Sequence, residues 1–487
     1  MEIKNKVLRG AAVVFLEQGG IKIIGVIGTI ILSRLLFPAD FGLIATASIA
    51  VNFFTVFIRK GISLALIQKK EQDDELLSTC LFLYGAMGVF FSVFLFLFAP
   101  WIAVFFHMPV LQGILRVLSP VLFIRSFSAV PVAIIQRRLD FVRSVIPTLA
   151  GSVIYVCVAV FLAWSGSGVW SFVWAILASS LVSMGLNWAM SLLRPRLFFS
   201  WSKFKSLLKF GIPALFVELV EYSGAHVDYF IIAKFLGPVA LGFYALAYQF
   251  SDFFYSKVSV AMTKVFFPVF CNLENAGSIR HYYLKIVFYL GMIILPFYAA
   301  GCLLNKEVVW IVYGAKWAEA ALPLGILSIL GVVKGVCLGV GNRDILYSQG
   351  RPDTFLKLRI MGALLNAVAV LIGVGHGIVG VAISVTCAGV ISALYTVVVV
   401  SQSIDIGWKE YAFSLIPSVV ATIIMGGVIL LLKPWLSYQI GSIVAVAALG
   451  ATAYVTGLYL MGIHVWRDIA DKWGLLFSKQ GKDGGLV

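Results

Sequence analysis

Two similar stretches, 200 positions apart, decide how this chain is organised: ILSRLLFPADFGLIATASIAVNFF at residues 31–54 and IIAKFLGPVALGFYALAYQFSDFF at residues 231–254. Eight positions are identical, among them the pairs Leu36/Leu236, Pro38/Pro238, Gly42/Gly242 and Ala45/Ala245. Arg34 and Lys234 match in charge. A duplicated hydrophobic unit is typical of transporters that are built from two halves with a site between them.

The composition is that of an integral membrane protein. Of the 487 residues, 61% are hydrophobic and only 12% are charged, whereas soluble domains carry about 25% charged residues. The formal net charge is +15, but the basic residues lie between the apolar runs rather than in one patch, which disfavours nucleic-acid binding. The six cysteines have neither metal-ligand nor redox spacing, so no metal, disulfide or cofactor is predicted.

Windows of about 19 residues predict about fourteen transmembrane helices. Helices are preferred over barrel strands because the apolar runs are continuous. Outside the predicted spans, 23 Lys and Arg residues lie in the two termini and in the loops on their side, and six lie in the loops on the other side. The positive-inside rule therefore predicts that both termini are cytoplasmic. The first apolar run lacks a signal-peptide cleavage pattern, so it is predicted to be a retained helix.

The repeat extends beyond the opening match. Residues 136–140 and 349–353 share the pattern Gln-x-Arg-x-Asp. Residues 166–168, Gly-Ser-Gly, correspond to residues 375–377, Gly-His-Gly. The three matches occur in the same order at offsets of 200, 213 and 209. Each match is weak alone, but together they indicate one duplication that covers most of the chain.

The predicted fold is therefore an all-α polytopic membrane protein with two six-helix lobes, residues 1–203 and 204–408. Residues 409–487 add two further helices and a cytoplasmic tail. Because each lobe has an even number of spans, the two lobes face the same way. The pseudo-twofold axis then runs along the membrane normal, and the lobes enclose a central cavity.

Ionisable residues are predicted at membrane depth, where each costs about 2.5–3.5 kcal/mol on insertion scales. Such a set predicts a polar lumen rather than a lipid-facing surface. The candidates for binding an anionic substrate are Lys22, Arg59, Lys60, Arg125, Lys257, Lys264, Lys334 and Arg343. The candidates for ion coupling are Glu17, Glu218, Glu221, Asp228 and Asp252. The alternative is that acids and bases neutralise each other in structural pairs between helices.

Two groups lie near predicted membrane boundaries. Arg59 and Lys60 either extend toward lipid headgroups or bind a pyrophosphate that arrives at the membrane surface. Six tryptophans near the predicted outer boundary are interpreted as an interfacial belt. They are Trp101, Trp170, Trp174, Trp310, Trp317 and Trp435.

Three segments carry a family resemblance: SRLLFPADFG at residues 33–42, QRRLDF at 136–141 and LGPVALGFY at 236–244. They resemble motifs of bacterial polysaccharide flippases, a branch of the multidrug/oligosaccharidyl-lipid/polysaccharide exporter superfamily. The nearest likeness is to colanic-acid and teichuronic-acid exporters, and it covers residues 1 to about 460. No site residue is transferred, because the family lacks a short catalytic signature.

The resemblance implies a carrier that moves undecaprenyl-pyrophosphate-linked oligosaccharide to the periplasmic leaflet of the bacterial inner membrane. It implies alternating access between two lobes, a cationic lumen and a role in the synthesis of O-antigen, capsule or exopolysaccharide. Membrane lipids, and a polymerase and glycosyltransferases of the same pathway, are the implied partners. Neither a cofactor nor a catalytic residue is expected.

Other functions fit the sequence less well. A multidrug or cation antiporter of the same fold predicts a cavity with net negative charge, whereas the residues predicted at membrane depth comprise six bases and five acids. A lipid-linked peptidoglycan precursor is an alternative cargo. A membrane glycosyltransferase or polymerase is disfavoured, because polar connections of about 15–20 residues are short for a soluble catalytic module and carry no acidic metal-binding cluster.

Overall fold

Long apolar helices dominate the structure, a computed structural model that describes residues 2–59, 74–138, 140–191, 199–253, 276–338, 342–435 and 440–461. Every regular element in these ranges is helical. The helices are α1 (Glu2–Leu35), α2 (Pro38–Arg59), α3 (Asp74–Phe106), α4 (Pro109–Leu118), α5 (Pro120–Arg137), α6 (Phe141–Trp164), α7 (Trp170–Ser191), α8 (Trp201–Phe235), α9 (Gly237–Ser251), α10 (Ala276–Leu303), α11 (Ala321–Val332), α12 (Asn342–Ser348), α13 (Pro352–Gly373), α14 (Gly377–Ser403), α15 (Trp408–Leu432) and α16 (Ile440–Leu460). Short helical pieces, Asn305–Val308, Val309–Tyr313 and Ala315–Ala320, connect α10 to α11.

Ten stretches of the described residues are long and apolar enough to cross a membrane. One of them, Pro352–Ser403, contains both α13 and α14, while α1, α8 and α9 are not among the ten. Large apolar side chains such as Trp164 and Leu431 are exposed on the outside of the bundle, as lipid-facing residues are. The predicted all-α polytopic architecture is confirmed, whereas the number of about fourteen spans stays a prediction.

Helices pack in the same order in the two parts of the chain. α1 packs on α6 as α8 packs on α13, and α3 packs on α5 as α10 packs on α11. The pairs α6–α7 and α13–α14 also correspond, and α15 and α16 join the second set through α10. We call α1–α7 the first half and α8–α14 the second half. This matched packing is what a duplicated sequence is expected to produce; the exact lobe boundaries stay a prediction.

The repeated Gln-x-Arg-x-Asp motif binds equivalent helix ends. In the first half, the Arg138 guanidinium donates to the carbonyl oxygen of Ser191, at the end of α7, at 3.2 Å. In the second half, the Gln349 amide donates to the carbonyl oxygen of Ser403, at the end of α14, at 3.0 Å. The last carbonyls of a helix have no partner within that helix. Both copies of the motif therefore satisfy the same need at the same place.

The third match of the repeat reflects a backbone requirement. Gly168 precedes α7 with φ +54°, and its counterpart Gly377 begins α14 with φ +72°. Side chains other than glycine rarely adopt this left-handed region because their β-carbon clashes with the backbone. The turn into α7 and the turn into α14 thus both need glycine at the equivalent position.

Candidate functional site

The halves touch where the repeated Pro-x-x-x-Gly segments of α2 and α9 cross. A β-carbon on Gly42 would lie 1.7 Å from the carbonyl oxygen of Pro238, and one on Gly242 would lie 2.0 Å from that of Pro38. Only glycine permits such a close backbone approach, as at other interfaces between membrane helices. The contact is reciprocal, because each copy of the repeat touches the other, and this is the geometry of a twofold axis.

A basic residue of each half binds a helix end in the other half. Lys234, near the end of α8, donates to the carbonyl oxygen of Phe105 at the end of α3. Arg34, near the end of α1, donates to the carbonyl oxygens of Ile311 and Val312, at the end of the short helical piece Val309–Tyr313 that follows α10. α3 and α10 are equivalent helices. Since a helix C-terminus carries unpaired carbonyls and partial negative charge, both contacts stabilise the association of the halves.

Trp317 fills the space beside these contacts. Its ring is fully buried and lies edge-on against Phe41, with 4.9 Å between the ring centroids. Its Nε1 donates to the carbonyl oxygen of Ser33 at 2.9 Å, and the neighbouring Lys316 donates to that of Leu36 at 2.8 Å. The interpretation of Trp317 as part of an interfacial belt is therefore wrong, because the side chain packs between the halves.

These contacts between the two halves are called the closure below. The closure comprises residues 33–42 and 234–243, together with Phe105 and residues 311–317. It lies at the end of the helices that the bias in basic residues assigns to the outer face of the membrane. The largest cluster of buried apolar residues spans it, with members from both halves. This end of the molecule is thus shut.

A pocket of about 320 Å³ lies between the halves, next to the closure. Its lining comes from α1, α2, α8 and α9 together with Asp252, which follows α9. Lys22 enters from the first half and Asp252 from the second, while Tyr229 and Tyr248 contribute aromatic surface. The Lys22 ammonium lies 5.8 Å from the ring centroid of Phe253. We call this cavity the interhalf pocket, and it brings together charged residues that are 230 positions apart in the chain.

A second pocket, of about 240 Å³, lies within the second half. Glu221, Asp252, Lys334 and Arg359 line it. The Lys334 ammonium is 3.9 Å from the Asp252 carboxylate and donates to the Tyr248 hydroxyl at 2.7 Å. For Lys334 and Asp252, the alternative of a neutralising pair between helices therefore applies, although both side chains also face a cavity.

A third cavity, of about 1020 Å³, lies within the first half among α1, α2, α5, α6 and α7. Arg125 lines it and donates to the amide oxygen of Asn52 at 3.0 Å. Asn52 is the repeat counterpart of Asp252. The cation and its neighbour thus recur in both halves, with an amide in the first half where the second half has a carboxylate.

The predicted residues divide into three groups. Five of them line a cavity: Lys22, Arg125, Glu221, Asp252 and Lys334. Asp228 is fully buried and lines none of the three cavities; it accepts hydrogen bonds from the Tyr244 hydroxyl at 2.8 Å and the Tyr229 amide at 2.9 Å, and Glu218 is half-buried away from them. The remaining residues, Lys60, Lys257 and Lys264, and the side chains of Glu17, Arg59 and Arg343, lie outside the described part of the structure.

Sequence reasoning did not predict that the residues of the closure join the two halves. Arg34 and Lys234 were visible as a charge-matched pair in the opening repeat, and that match was the signal. Lys316 has no such counterpart, and Trp317 was interpreted instead as part of an interfacial belt. Within the described ranges, no group of three or more His, Cys, Asp or Glu side chains is arranged to hold a metal ion.

Comparison with protein-family models identifies the family of this chain. A family model described as polysaccharide biosynthesis protein matches residues 31–322, more than half of the chain. The chain belongs to this polysaccharide biosynthesis family. The resemblance to polysaccharide exporters seen in the sequence is thereby confirmed at the level of the family.

Three curated proteins from polysaccharide biosynthesis are similar to this chain. The succinoglycan biosynthesis transport protein ExoT of Rhizobium meliloti is 24% identical over 325 residues, 65% of this chain and 66% of that protein. The lipopolysaccharide biosynthesis protein WzxC of Escherichia coli is 23% identical over 426 residues, 85% of each chain. The teichuronic acid biosynthesis protein TuaB of Bacillus subtilis is 27% identical over 307 residues, 62% of each chain. The match thus spans less than two thirds of ExoT and of TuaB.

Two solved structures share the fold. The lipid II flippase MurJ in an inward closed conformation superposes with a TM-score of 0.76 at 15% identity, covering 94% of this chain and 99% of that one. An inward-facing multidrug resistance MATE transporter of the MOP superfamily gives a TM-score of 0.64 at 17% identity, covering 79% and 94%. At these identities the likeness establishes the architecture and not the cargo.

Proposed function

We propose that this protein is a flippase that carries a polyprenyl-pyrophosphate-linked oligosaccharide across the cytoplasmic membrane for surface polysaccharide synthesis. The observation that carries the proposal is the closure: two repeated halves meet reciprocally at one end, with cavities on the other side of the contact. Membership of the polysaccharide biosynthesis family supports the class of cargo. In this proposal the protein is a transporter and not an enzyme, and both of its termini are cytoplasmic.

The mechanism we propose is alternating access between a first lobe, residues 1–203, and a second lobe, residues 204–408. The closure shuts the outer side, and its opening separates the Pro-x-x-x-Gly segments while the inner ends approach each other. Substrate then leaves on the side opposite to its entry. Such a movement is a rigid-body motion of one repeat against the other about a fixed site.

The charged residues have separate roles in this proposal. Lys22, in the interhalf pocket, and Arg125, in the first half, attract the pyrophosphate, because ammonium and guanidinium groups bind phosphate oxygens through charge-assisted hydrogen bonds. Glu221 and Asp252, in the second half, are placed to carry a coupling cation, and Lys334 next to Asp252 competes with that cation for the carboxylate. Occupancy by substrate and occupancy by the cation are then linked through neighbouring cavities.

Direct translocation tests the proposal. The purified full chain is reconstituted in liposomes with a fluorescent undecaprenyl-pyrophosphate-linked oligosaccharide, and lipid inaccessible to an external glycosidase is followed over time. We expect protein-dependent exchange between leaflets, and a slower rate in the double variant Lys22→Gln with Arg125→Gln. The matched control is Lys357→Gln with Lys409→Gln, because both lysines are exposed outside the cavities and the loss of charge is the same.

Two results would reject the proposal. One is exchange at the rate of protein-free liposomes. The other is unchanged surface polysaccharide in a deletion strain together with increased sensitivity to organic cations, which would instead support the multidrug antiporter. The lipid-linked peptidoglycan precursor serves as a competing cargo in the same assay. Enzymes that assemble the lipid-linked sugar and polymerise it are the proposed pathway partners.

A further inference from the structure

The cavity of the first half and the pocket of the second half occupy equivalent positions of the repeat. An offset of 209 relates Arg125 to Lys334, and an offset of 200 relates Asn52 to Asp252. The offset of 209 also relates lining residues of α7 to lining residues of α14, in the pairs Ser179/Ala388, Ser180/Gly389, Ser183/Ser392 and Asn187/Thr396. The molecule therefore contains one cavity twice.

The two copies have diverged in size and in chemistry. The second-half copy, of about 240 Å³, has four charged lining residues, Glu221, Asp252, Lys334 and Arg359. The first-half copy, of about 1020 Å³, has eleven lining residues with a hydroxyl or an amide and one charged residue, Arg125. We call the first-half copy the hydroxyl chamber. Its volume lies at the upper end of the range for small-ligand sites, about 300–1,000 Å³.

Two hydroxyls of the chamber donate to carbonyls of their own helices. The Ser128 hydroxyl donates to the Ile124 carbonyl at 2.9 Å, and the Ser152 hydroxyl donates to the Thr148 carbonyl at 2.8 Å. A serine that donates in this way keeps oxygen lone pairs that accept hydrogen bonds from a ligand. The guanidinium of Arg125 and the amides in the lining are donors. The wall thus offers both kinds of hydrogen-bonding partner with little net charge.

A sugar ring matches this wall. Each sugar hydroxyl both donates and accepts, so it needs partners of both kinds and no counter-charge. A metal ion would need several oxygen ligands with negative charge, which the described lining does not supply. Polar groups that are withdrawn from water without a partner cost free energy. A chamber of this polarity at membrane depth is therefore suited to water or to a ligand rich in hydroxyls, rather than to an acyl chain.

The position of the chamber also fits a glycan. Gln136, Thr148 and Asn187 place it toward the ends of α5, α6 and α7 that lie opposite the closure. α1 borders both cavities, with Ile21 on the chamber and Lys22 on the interhalf pocket. A phosphate held by Lys22 and sugars held in the chamber would thus be neighbours across a single helix.

We propose that the hydroxyl chamber binds uncharged sugar residues of the carried oligosaccharide and thereby limits the length of glycan that is moved. The inference rests on the proposed flippase function and adds a specificity site to it. Narrowing the chamber then slows transport of a full repeat unit and spares a lipid that bears a single sugar, because the single sugar does not need the whole chamber.

The test compares two cargoes in proteoliposomes: undecaprenyl-pyrophosphate carrying the complete repeat unit extracted from the native host, and the same lipid carrying only the first sugar. The variant Ser128→Leu with Ser152→Leu narrows the chamber and replaces two of its hydroxyls with apolar side chains. Its control, Thr452→Leu with Thr456→Leu, adds leucines on the exposed face of α16, where both threonines likewise bond to backbone carbonyls. We expect the transport rate of the chamber variant to fall about tenfold or more for the full repeat unit only, because sugar hydroxyls that lie against leucine lose their hydrogen-bond partners.

Failure of the sugar site and failure of the proposed flippase function give different results. Equal rates for the chamber variant and wild type on both cargoes, or equal losses on both cargoes in a folded chamber variant, overturn the sugar site. If wild type moves neither cargo, the flippase proposal fails. Binding of the free repeat-unit oligosaccharide then tests the sugar site by itself, and equal affinities of wild type and the chamber variant overturn it. If the leucine pair prevents folding, the variant Ser128→Ala with Ser152→Ala replaces it. We expect this variant to have a raised KM for the full repeat unit, and an unchanged KM would overturn the inference.

Discussion

Gly42→Ala is the substitution that most directly tests the closure. The added β-carbon would lie 1.7 Å from the Pro238 carbonyl oxygen, so that oxygen must retreat by more than about 1.3 Å to reach 3.0 Å. The obstacle is backbone at the start of α9 and not the end of a flexible side chain, so the two helices must separate. Overpacking of this kind costs about 1–3 kcal/mol. In the proposed mechanism the cost applies only to the closed state, because the two residues part when the halves separate.

The expected result is a shift in population rather than unfolding. A penalty of about 1–3 kcal/mol changes the ratio of closed to open molecules by about 5- to 150-fold. Spin labels at Val104→Cys and Leu322→Cys, in a background without the native cysteines, report the distance between the two halves at the end where the closure lies. Both positions are exposed. We expect Gly42→Ala to add a longer distance and to slow transport.

Gly85→Ala is the matched control. Gly85 also lies inside a membrane helix, α3, but nothing lies within 4 Å of a β-carbon built there. Both substitutions raise helix propensity by about 1 kcal/mol, so the difference between them isolates the contact with Pro238. An unchanged distance distribution in Gly42→Ala, with wild-type transport, would refute the closure as the element that alternates.

Three further predictions concern charged residues. Lys234→Gln weakens the bond to the opposite half by about 1 kcal/mol, so the same spin-label pair should show a smaller shift toward the open form than Gly42→Ala shows. A distance distribution identical to that of wild type would contradict this prediction. Asp228→Ala leaves the Tyr244 hydroxyl without its acceptor and should lower the apparent unfolding temperature by an amount that reflects about 1–3 kcal/mol, whereas Asp228→Asn should lower it much less. Lys334→Gln removes the positive charge near Asp252. Because the pair is partly exposed, we expect the free energy of unfolding to change by less than about 1 kcal/mol, whereas the dependence of transport on the cation gradient should be altered. An unaltered dependence would count against a coupling role for this pair.

Much of the fold could be predicted because the signals are local. Hydropathy and helix length require only neighbouring residues, and a bilayer leaves few alternatives to helices once the apolar runs are long enough. The duplicated segments also predicted that the halves would correspond. The site was predicted less well, because a charged residue at membrane depth can line a cavity, pair with an opposite charge or be buried in a hydrogen-bond network. Lys334 faces both a cavity and Asp252, whereas Asp228 is enclosed by tyrosines.

The sequence by itself determined that this protein lies in a membrane, is helical and repeats a unit across some 200 positions. Only the tertiary structure decided that Gly42 meets Pro238 and that Trp317 lies between the halves. It also decided that one repeated cavity is wide and has a single charged lining residue, whereas its counterpart is narrow and has four. The physical reason is the range of the interactions. Transfer into lipid acts on each segment separately, whereas contacts between residues 200 or more positions apart depend on how all the helices pack at once.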